Sequence, residues 1–460
     1  MQHAVVVLAA GLGSRMKSQL PKVLHPLLGK PLLAYCVETA LATKPSKVVV
    51  VTGHGAERVQ ALLSVYGVDW AIQEKQLGTA HALAQAEPQL KGFQGPVLLI
   101  QGDTPFTRPE TLKGLLSALG SAGMALVTAK LADPRGYGRV LRDAKGMVAA
   151  NIEEKDATPD QKRIQEINTG VYAFNSQVWE MLRLVDNKNA GGEYYLPDLI
   201  RVYRERGKEV VGLEAEDANE FLGINSREQL AQAEALMLER LRRDWMAKGV
   251  RMILPETIYL EPSVRLAPDA TLWPGVILRG STQIGEGAEV GAYSVLTDAV
   301  LGPGATVKSH VVIEGGSIAG GADAGPFARI RAGTVIESGA HVGNFVELKN
   351  ARLGKGAKAG HVSYLGDVDI GEEANIGAGT IVANFDGKKK HQTRVGKRAF
   401  IGSNSTLIAP VNIGDQAYVA AGSAINQDVP GEALGIAREH QRNIEGYARR
   451  KKPAPREQEE

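Results

Sequence analysis

The feature that most constrains the fold is a six-residue apolar period in residues 251–460. Its longest run is Val395, Ile401, Leu407, Ile413, Val419 and Ile425. Glycine follows several of these positions, and the same segment holds 30 of the 53 glycines of the chain. Strands repeat every two residues and α-helices every 3.6, so neither explains a period of six. A hexapeptide repeat is the signature of a parallel β-helix, in which each apolar side chain enters a narrow prism.

The period is interrupted at two places, near residues 349–369 and 383–394. Insertions into a solenoid usually form loops on one face, which is often the binding face. We therefore expect polar loops at both interruptions, and candidate functional residues in them.

The first half of the chain has a different pattern, in which apolar runs alternate with amphipathic stretches. Residues 4–10, 47–53, 96–103 and 124–130 are continuous apolar runs of strand length, as in strands buried on both faces. The helical stretches between them, such as residues 31–42, predict βαβ units and a mostly parallel sheet. This pattern indicates a Rossmann-like α/β domain.

A single long helix is predicted between the two halves. Ser226 and Gln229 have the spacing of a capping box, and Gly249 is suited to end the helix. We therefore predict an α/β domain at 1–225, a helical linker at 226–250 and a β-helix domain at 251–460. The charged, proline-containing end from about residue 449 is expected to be disordered.

Composition disfavours several classes of function. The chain has 53 Lys and Arg against 51 Asp and Glu, a net charge of +2, whereas nucleic-acid-binding domains carry a clustered basic excess. The single cysteine, Cys36, allows no intramolecular disulfide and no cysteine metal site. No apolar run is long enough for a membrane span, and the N-terminus lacks a signal-peptide pattern. We expect a cytoplasmic protein without nucleic-acid or membrane partners.

A glycine-rich turn follows the first predicted strand and is suited to phosphate. Gly11 and Gly13 let backbone N–H groups approach an anion, and Arg15 and Lys22 add positive charge. The Walker spacing is absent, and position 16 is Met rather than the third glycine of a dinucleotide fingerprint. Asp103, at the end of a buried strand, offers a hard oxygen for Mg²⁺. Taken singly, these residues are equally compatible with a tight turn, a solvated lysine and a helix cap.

Several segments together resemble the nucleotide-sugar pyrophosphorylases. They are residues 8–31, 76–82, 101–105, 136–139, 153–157, 166–172 and 223–225, in the order found in that family. The resemblance implies that a nucleoside triphosphate and a sugar 1-phosphate give a nucleotide-sugar and pyrophosphate. It assigns catalysis to Arg15 and Lys22, and nucleotide binding to Leu8, Ala10, Gly11, Gly13, Lys22, Gln73, Gln76, Gly78 and Thr79. It assigns the sugar phosphate to Gly138, Glu153, Asn168 and Asn225, and Mg²⁺ to Asp103 and Asn225. Gln101 departs from the tyrosine of some relatives.

The β-helix half resembles the acetyltransferase half of the bifunctional N-acetylglucosamine-1-phosphate uridylyltransferase/glucosamine-1-phosphate acetyltransferase family. The segments that carry this resemblance are residues 326–333, 343–354, 359–367, 375–387 and 402–410, and the resemblance extends over residues 3–445. It implies a left-handed, homotrimeric β-helix. The implied reactions are acetyl transfer from acetyl-CoA to glucosamine 1-phosphate, then uridylyl transfer from UTP to N-acetylglucosamine 1-phosphate.

This second resemblance also assigns residues. His361 is the general base, with Glu347 nearby to orient it. Glucosamine 1-phosphate is assigned to Arg331, Lys349, Lys390, Tyr364, Asn375 and Asn384. Acetyl-CoA is assigned to Ala378, Asn384, Phe385, Ser403, Ala421 and Arg438. Phe385 stands where relatives often have tyrosine, so a hydroxyl is missing there.

Two rival functions remain open on the sequence. The β-helix is regulatory in a pyrophosphorylase with one activity, and both folds are inert in an assembly subunit. The His361, Lys349 and Arg331 set argues against the first rival, and the Asp103 and Asn225 pair argues against the second. A zinc site at His341 and His361 lacks a third ligand at useful spacing.

Overall fold

The computed structural model describes residues 2–189 and 191–451. The chain divides into two compact units, Met1–Met237 and Leu238–Glu460, which are described separately. Of the end predicted to be disordered, residues 452–460 lie outside the described residues. Tyr447–Arg450, at the start of that end, form one helical turn.

A nine-stranded sheet organises the first unit. Its strands are β1 Ala4–Ala9, β2 Lys47–Thr52, β3 Asp69–Ile72, β4 Val97–Gln101, β5 Met124–Lys130, β6 Arg139–Arg142, β7 Val148–Ile152, β8 Glu166–Phe174 and β9 Val210–Glu214. The order along the sheet is β9-β5-β8-β4-β1-β2-β3, and β6 joins β8 to β7. Strand β8 runs antiparallel to β4 and β5, while the other neighbours along this path are parallel. The prediction of a mostly parallel sheet is confirmed.

Helices cover both faces of this sheet. They are α1 Leu32–Ala42, α2 Ala56–Leu63, α3 Thr79–Ala84, α4 Pro109–Leu119, α5 Val178–Leu182 and α6 Asp198–Glu205. One-turn 3₁₀ helices lie at Ser14–Met16, Lys22–Leu24, Ser64–Tyr66, Pro88–Leu90, Gln161–Arg163 and Ala218–Phe221, and a small hairpin joins Pro26–Leu27 to Lys30–Pro31. Along β1, Val5 and Val7 belong to one apolar cluster, and Val6 and Leu8 belong to the other. A strand buried on both faces has no polar side to alternate, which explains its continuous apolar run.

The long helix α7 spans Arg227–Ala247, within the predicted linker. Ser226 Oγ accepts from the Gln229 backbone N–H at 3.2 Å, as the capping prediction requires. Gln229 Oε1 in turn accepts from the backbone N–H of Asn225 at 2.8 Å. The helix start therefore also fixes the residue assigned as a metal ligand.

The second unit consists of short parallel strands stacked in three columns. The first column is Arg251–Met252, Thr271–Leu272, Glu289–Val290, Thr306–Val307, Asp323–Ala324, His341–Lys349, Lys358–Gly366, Asn375–Ile376, Phe400–Ile401, Tyr418–Val419 and Leu434–Gly435. The second is Tyr259–Leu260, Ile277–Arg279, Val295–Thr297, Val312–Glu314, Arg329–Ile330, the ends of the two nine-residue strands above, Ile381–Ala383, Thr406–Ile408 and Ala424–Ile425. The third is Arg265–Leu266, Gln283–Ile284, Val300–Leu301, Ser317–Ile318, Val335–Ile336, Arg352–Leu353, Val368–Ile370, Thr393–Val395 and Val411–Ile413. A 3₁₀ turn lies at Pro255–Thr257.

The hexapeptide period corresponds to this prism. Most paired residues are 17 or 18 positions apart, which is one coil of three hexads. The periodic residues form one buried core, in which Ile401 and Leu407 are fully buried.

The two interruptions of the period differ in structure. Between Asp369 and its partner Arg394 the spacing widens to 25 residues, so residues 384–391 form the predicted loop. The expected loop at 349–369 is wrong, because Arg352 pairs with Asp369 at the ordinary spacing of 17. That coil has lost one residue, which shifts the apolar period without inserting a loop.

Within residues 2–189 and 191–451, no helix combines the length and the apolarity that crossing a membrane requires.

Candidate active sites

A cavity of about 230 Å³ opens at the carboxyl ends of β1 and β4 in the first unit. Its lining includes the predicted nucleotide residues Leu8, Ala10, Gly11, Lys22, Gln73, Gln76, Gly78 and Thr79, together with Asp103. Gly13 is not among the lining residues. Its φ is 63°, and an added Cβ would lie 2.5 Å from Lys22 Cβ, so glycine lets the turn pass beside that lysine. Arg15 is exposed and also lies outside the lining.

The two predicted metal ligands are brought together by the fold. Lys22 Nζ donates to Asp103 Oδ2 at 2.5 Å and to Asn225 Oδ1 at 2.9 Å. The backbone N–H of Ile224 donates to the Asp103 carbonyl oxygen at 3.0 Å, which ties the two segments together. The carboxylate and the amide oxygen thus converge on one cationic position, so this pair fits a divalent metal. Among the described residues no group of three or more His, Cys, Asp or Glu is arranged to hold a metal, so phosphates and water must supply its other ligands.

Gln73 is held rigidly in the wall of the nucleotide cavity. Its side chain is only 3% exposed, and its Nε2 donates to the Gly78 carbonyl oxygen at 3.0 Å. The same nitrogen lies 3.0 Å from His81 Nδ1. Gly78 has a φ of 114°, and an added Cβ would lie 2.4 Å from the Tyr194 carbonyl oxygen, so only glycine fits there.

A second cavity, of about 540 Å³, adjoins the first through Thr79 and Gln101, which line both. The predicted sugar residues Gly138, Glu153 and Asn168 line it. Burial raises the pKa of Glu153, whose Oε1 accepts from Asn151 Nδ2 at 2.9 Å. Gln101, which departs from the tyrosine of some relatives, donates through Nε2 to the Gly170 carbonyl oxygen at 2.9 Å.

Arg139, beneath the second cavity, was not singled out from the sequence. Its side chain is 1% exposed, and its guanidinium pairs with Glu154 Oε2 at 2.6 Å and donates to the carbonyl oxygens of Tyr137 and Lys162. It therefore fastens together the two loops, around residues 137 and 154, that line the sugar cavity. The quoted motif at residues 136–139 contained this residue, but burial of a charge cannot be read from a motif.

In the second unit, His361 lies on the strand Lys358–Gly366 and is exposed. Its Nδ1 is 2.8 Å from Oδ1 of Asn344, its register partner on the strand His341–Lys349. Since an amide oxygen only accepts, Nδ1 carries the proton and Nε2 has the free lone pair. Glu347, expected to orient this histidine, instead accepts from Arg331 at 3.0 Å. The orienting residue is Asn344, which sequence reasoning missed.

Three predicted phosphate ligands lie close to one another in the same columns. Arg331 follows Ile330, the neighbour of Leu348, and therefore lies beside Lys349. The Lys349 ammonium is close enough to Lys390, on the loop 384–391, to lower the pKa of the Lys390 ammonium. Cations held this close repel one another, and a phosphate dianion would relieve that repulsion.

The remaining predicted residues lie around this cluster and along one corner of the prism. Tyr364 is the register partner of Glu347, and Asn384 Nδ2 donates to Asp367 Oδ2 at 2.5 Å. Asn375 lies on the first column, and Phe385 is 59% exposed. The acetyl-CoA residues Ala378, Ser403 and Ala421 occupy successive coils, with the Ala378 and Ser403 carbonyl oxygens accepting from the next coil at 2.7 and 2.8 Å. Arg438 passes beside Gly422 at the end of that corner.

Comparison with known proteins agrees with this division. Residues 5–252 match the model of the MobA-like NTP transferase domain, and residues 392–427 match the hexapeptide repeat of succinyl-transferase. Together with the three parallel columns, the second match identifies a left-handed β-helix. The fold and sites therefore define an enzyme with a nucleotidyltransferase half and a hexapeptide acyltransferase half.

Full-length relatives identify the family. The chain is 60% identical to "Bifunctional protein GlmU" of Thermus thermophilus over 98% of this chain and 99% of the relative. It is 46% identical to the protein of that name from Brevibacillus brevis, over 97% of both chains. It is also 46% identical to that of Stutzerimonas stutzeri, over 98% and 99%. The chain belongs to the GlmU family of bifunctional proteins.

Proposed function

We propose that the two polar sites are the two active sites of an enzyme that makes UDP-N-acetylglucosamine. As a member of the GlmU family, the chain acetylates glucosamine 1-phosphate from acetyl-CoA and then transfers uridylyl from UTP to the product. The assignment of residues to these steps is the proposal. It depends mainly on the two adjoining cavities, whose shared wall at Thr79 and Gln101 separates the predicted nucleotide residues from the predicted sugar residues.

In the uridylyl site, the chain's main task is to position phosphates and neutralise charge. The backbone at Gly11 and the Lys22 ammonium would hold the triphosphate, and Arg15 would reach it from the exposed turn. Glu153 and Asn168 would orient the sugar so that its phosphate oxygen attacks the α-phosphorus. The new P–O bond forms as the bond to pyrophosphate breaks.

Family membership implies a divalent metal, and we propose Mg²⁺ held by Asp103 and Asn225. Mg²⁺ prefers hard oxygens and retains phosphate and water ligands, which fits a site with two protein oxygens. The ion would neutralise charge on the phosphates. Lys22, which donates to both oxygens, would then be released to donate to a phosphate.

In the acetyl site, His361 Nε2 would accept the proton that the attacking sugar amine loses. The amine nitrogen bonds to the thioester carbonyl carbon, and CoA leaves as the thiol. Asn344 holds the imidazole in the tautomer this step needs. Arg331, Lys349 and Lys390 would hold the sugar phosphate, and the corner from Ala378 to Ala421 would hold acetyl-CoA.

We also propose a homotrimer in the cytoplasm. The rings of Tyr293, His310, Phe327 and Phe345 stack along one corner of the β-helix, 4.9–5.4 Å apart. Phe327 and Phe345 are 49% and 57% exposed, and an apolar column of this kind would be covered by other copies of the chain. UTP and acetyl-CoA are cytoplasmic metabolites, which supports that location. Sedimentation equilibrium tests the trimer.

Matched variants at the two sites test the assignment. Asp103→Ala should abolish pyrophosphate release from UTP and N-acetylglucosamine 1-phosphate, while CoA thiol release from acetyl-CoA and glucosamine 1-phosphate continues. His361→Ala should do the reverse. Loss of both reactions in one variant, or of neither, would contradict the assignment.

A further inference from the structure

The amide of Gln73 has a fixed orientation, which follows from its two partners. The Gly78 carbonyl oxygen can only accept, so the atom 3.0 Å from it is the amide nitrogen Nε2. The other proton of that nitrogen points to His81 Nδ1, also at 3.0 Å. Rotating the amide by half a turn would place Oε1 against two acceptors. Both protons are therefore used within the protein.

His81 completes this arrangement without touching the nucleotide cavity. It lies on α3 and is not among the lining residues of that cavity; instead it lines a neighbouring cavity of about 190 Å³. Its Nδ1 must be unprotonated to accept from Gln73. Its Nε2 lies 3.3 Å from Gln85 Nε2, which itself donates to the His81 carbonyl oxygen at 3.0 Å.

We infer that His81 is a specificity-determining positioning residue, which makes Gln73 present only a hydrogen-bond acceptor to the base. Uracil offers a donor at N3–H, which the amide oxygen accepts. Cytosine has an unprotonated N3, which would face that oxygen as a second acceptor. An unpaired polar group in a buried site is costly, so the arrangement favours UTP over CTP. Thymine also carries N3–H and is not rejected by this contact.

This inference rests on the proposed function of the cavity, and the experiment separates the two. The quantity measured is the kcat/KM for UTP divided by that for CTP, from pyrophosphate release. His81→Leu removes one of the two acceptors, and we expect the ratio to fall about tenfold, the effect of roughly one lost hydrogen bond. The change should appear in KM, with kcat for UTP unchanged.

A conservative variant and a matched control distinguish the hydrogen bond from packing. His81→Asn places an amide oxygen near the position of Nδ1 and should restore the ratio. Gln85→Leu removes the contact at the other ring nitrogen and should leave the ratio unchanged. CoA thiol release by each variant measures the concentration of folded enzyme through the other active site.

Each outcome bears on one claim. An unchanged ratio in His81→Leu, or a ratio that His81→Asn does not restore, would overturn the role of His81. Gln73→Leu should lower the ratio at least as much as His81→Leu. If it has no effect, the assignment of the base-binding cavity fails as well.

Discussion

Gly343 allows the close contact that holds the acetyl site together, and replacing it should disable that site alone. A Cβ built on Gly343 would lie 1.7 Å from the carbonyl oxygen of Gly360 on the neighbouring coil, whereas real Cβ contacts are essentially never under 3.0 Å. The two strands would therefore have to separate by at least about 1.3 Å. One residue further along, Asn344 and His361 share a bond of 2.8 Å, which would not survive this separation.

The expected effect of Gly343→Ala is loss of about 100-fold in acetyl transfer, since misplacing a catalytic group by about 1 Å has that scale of cost. Pyrophosphate release in the first unit should be unaffected. Gly360→Ala is the matched control, because its added Cβ meets nothing within 4 Å. Both reactions are assayed on both variants, with thermal unfolding measured in parallel. Full acetyl transfer by a stably folded Gly343→Ala enzyme would refute the reasoning.

Three further predictions concern charged groups. Arg139→Lys cannot fasten both loops of the sugar cavity, so the KM for N-acetylglucosamine 1-phosphate should rise about tenfold while CoA release is unchanged; equal KM values would contradict this clamp. Lys349→Met should raise the KM for glucosamine 1-phosphate about tenfold and raise the pKa of Lys390, because the neighbouring ammonium is gone; NMR titration of Lys390 checks the second effect. Hydrogen bonds from loop N–H groups and His391 lower the pKa of Asp386 to about 2, so the carboxylate stabilises the loop above about pH 4 and this contribution is lost as the pH falls through about 2. The acid-induced shift of the His391 ring signals should disappear in Asp386→Asn.

Much of the fold follows from the sequence because its periods are geometric. The six-residue period of residues 251–460 corresponds to one face of the prism, and the unbroken apolar runs correspond to strands with both faces buried. The start of α7 was also predictable, since capping by Ser226 is a local interaction. The missing loop at 349–369 shows the limit, because a lost residue and an inserted loop disturb a period in the same way.

The candidate sites divide in the same manner. Motif resemblance located Asp103, Asn225 and His361, but their hydrogen-bond partners depend on pairing between distant segments. Asn344 meets His361 only because the two strands pair in register 17 residues apart. Sequence therefore determined which residues carry the chemistry, through their types and order. The tertiary structure decided which neighbours set their orientation and charge, because those contacts join residues that nothing in the local sequence connects.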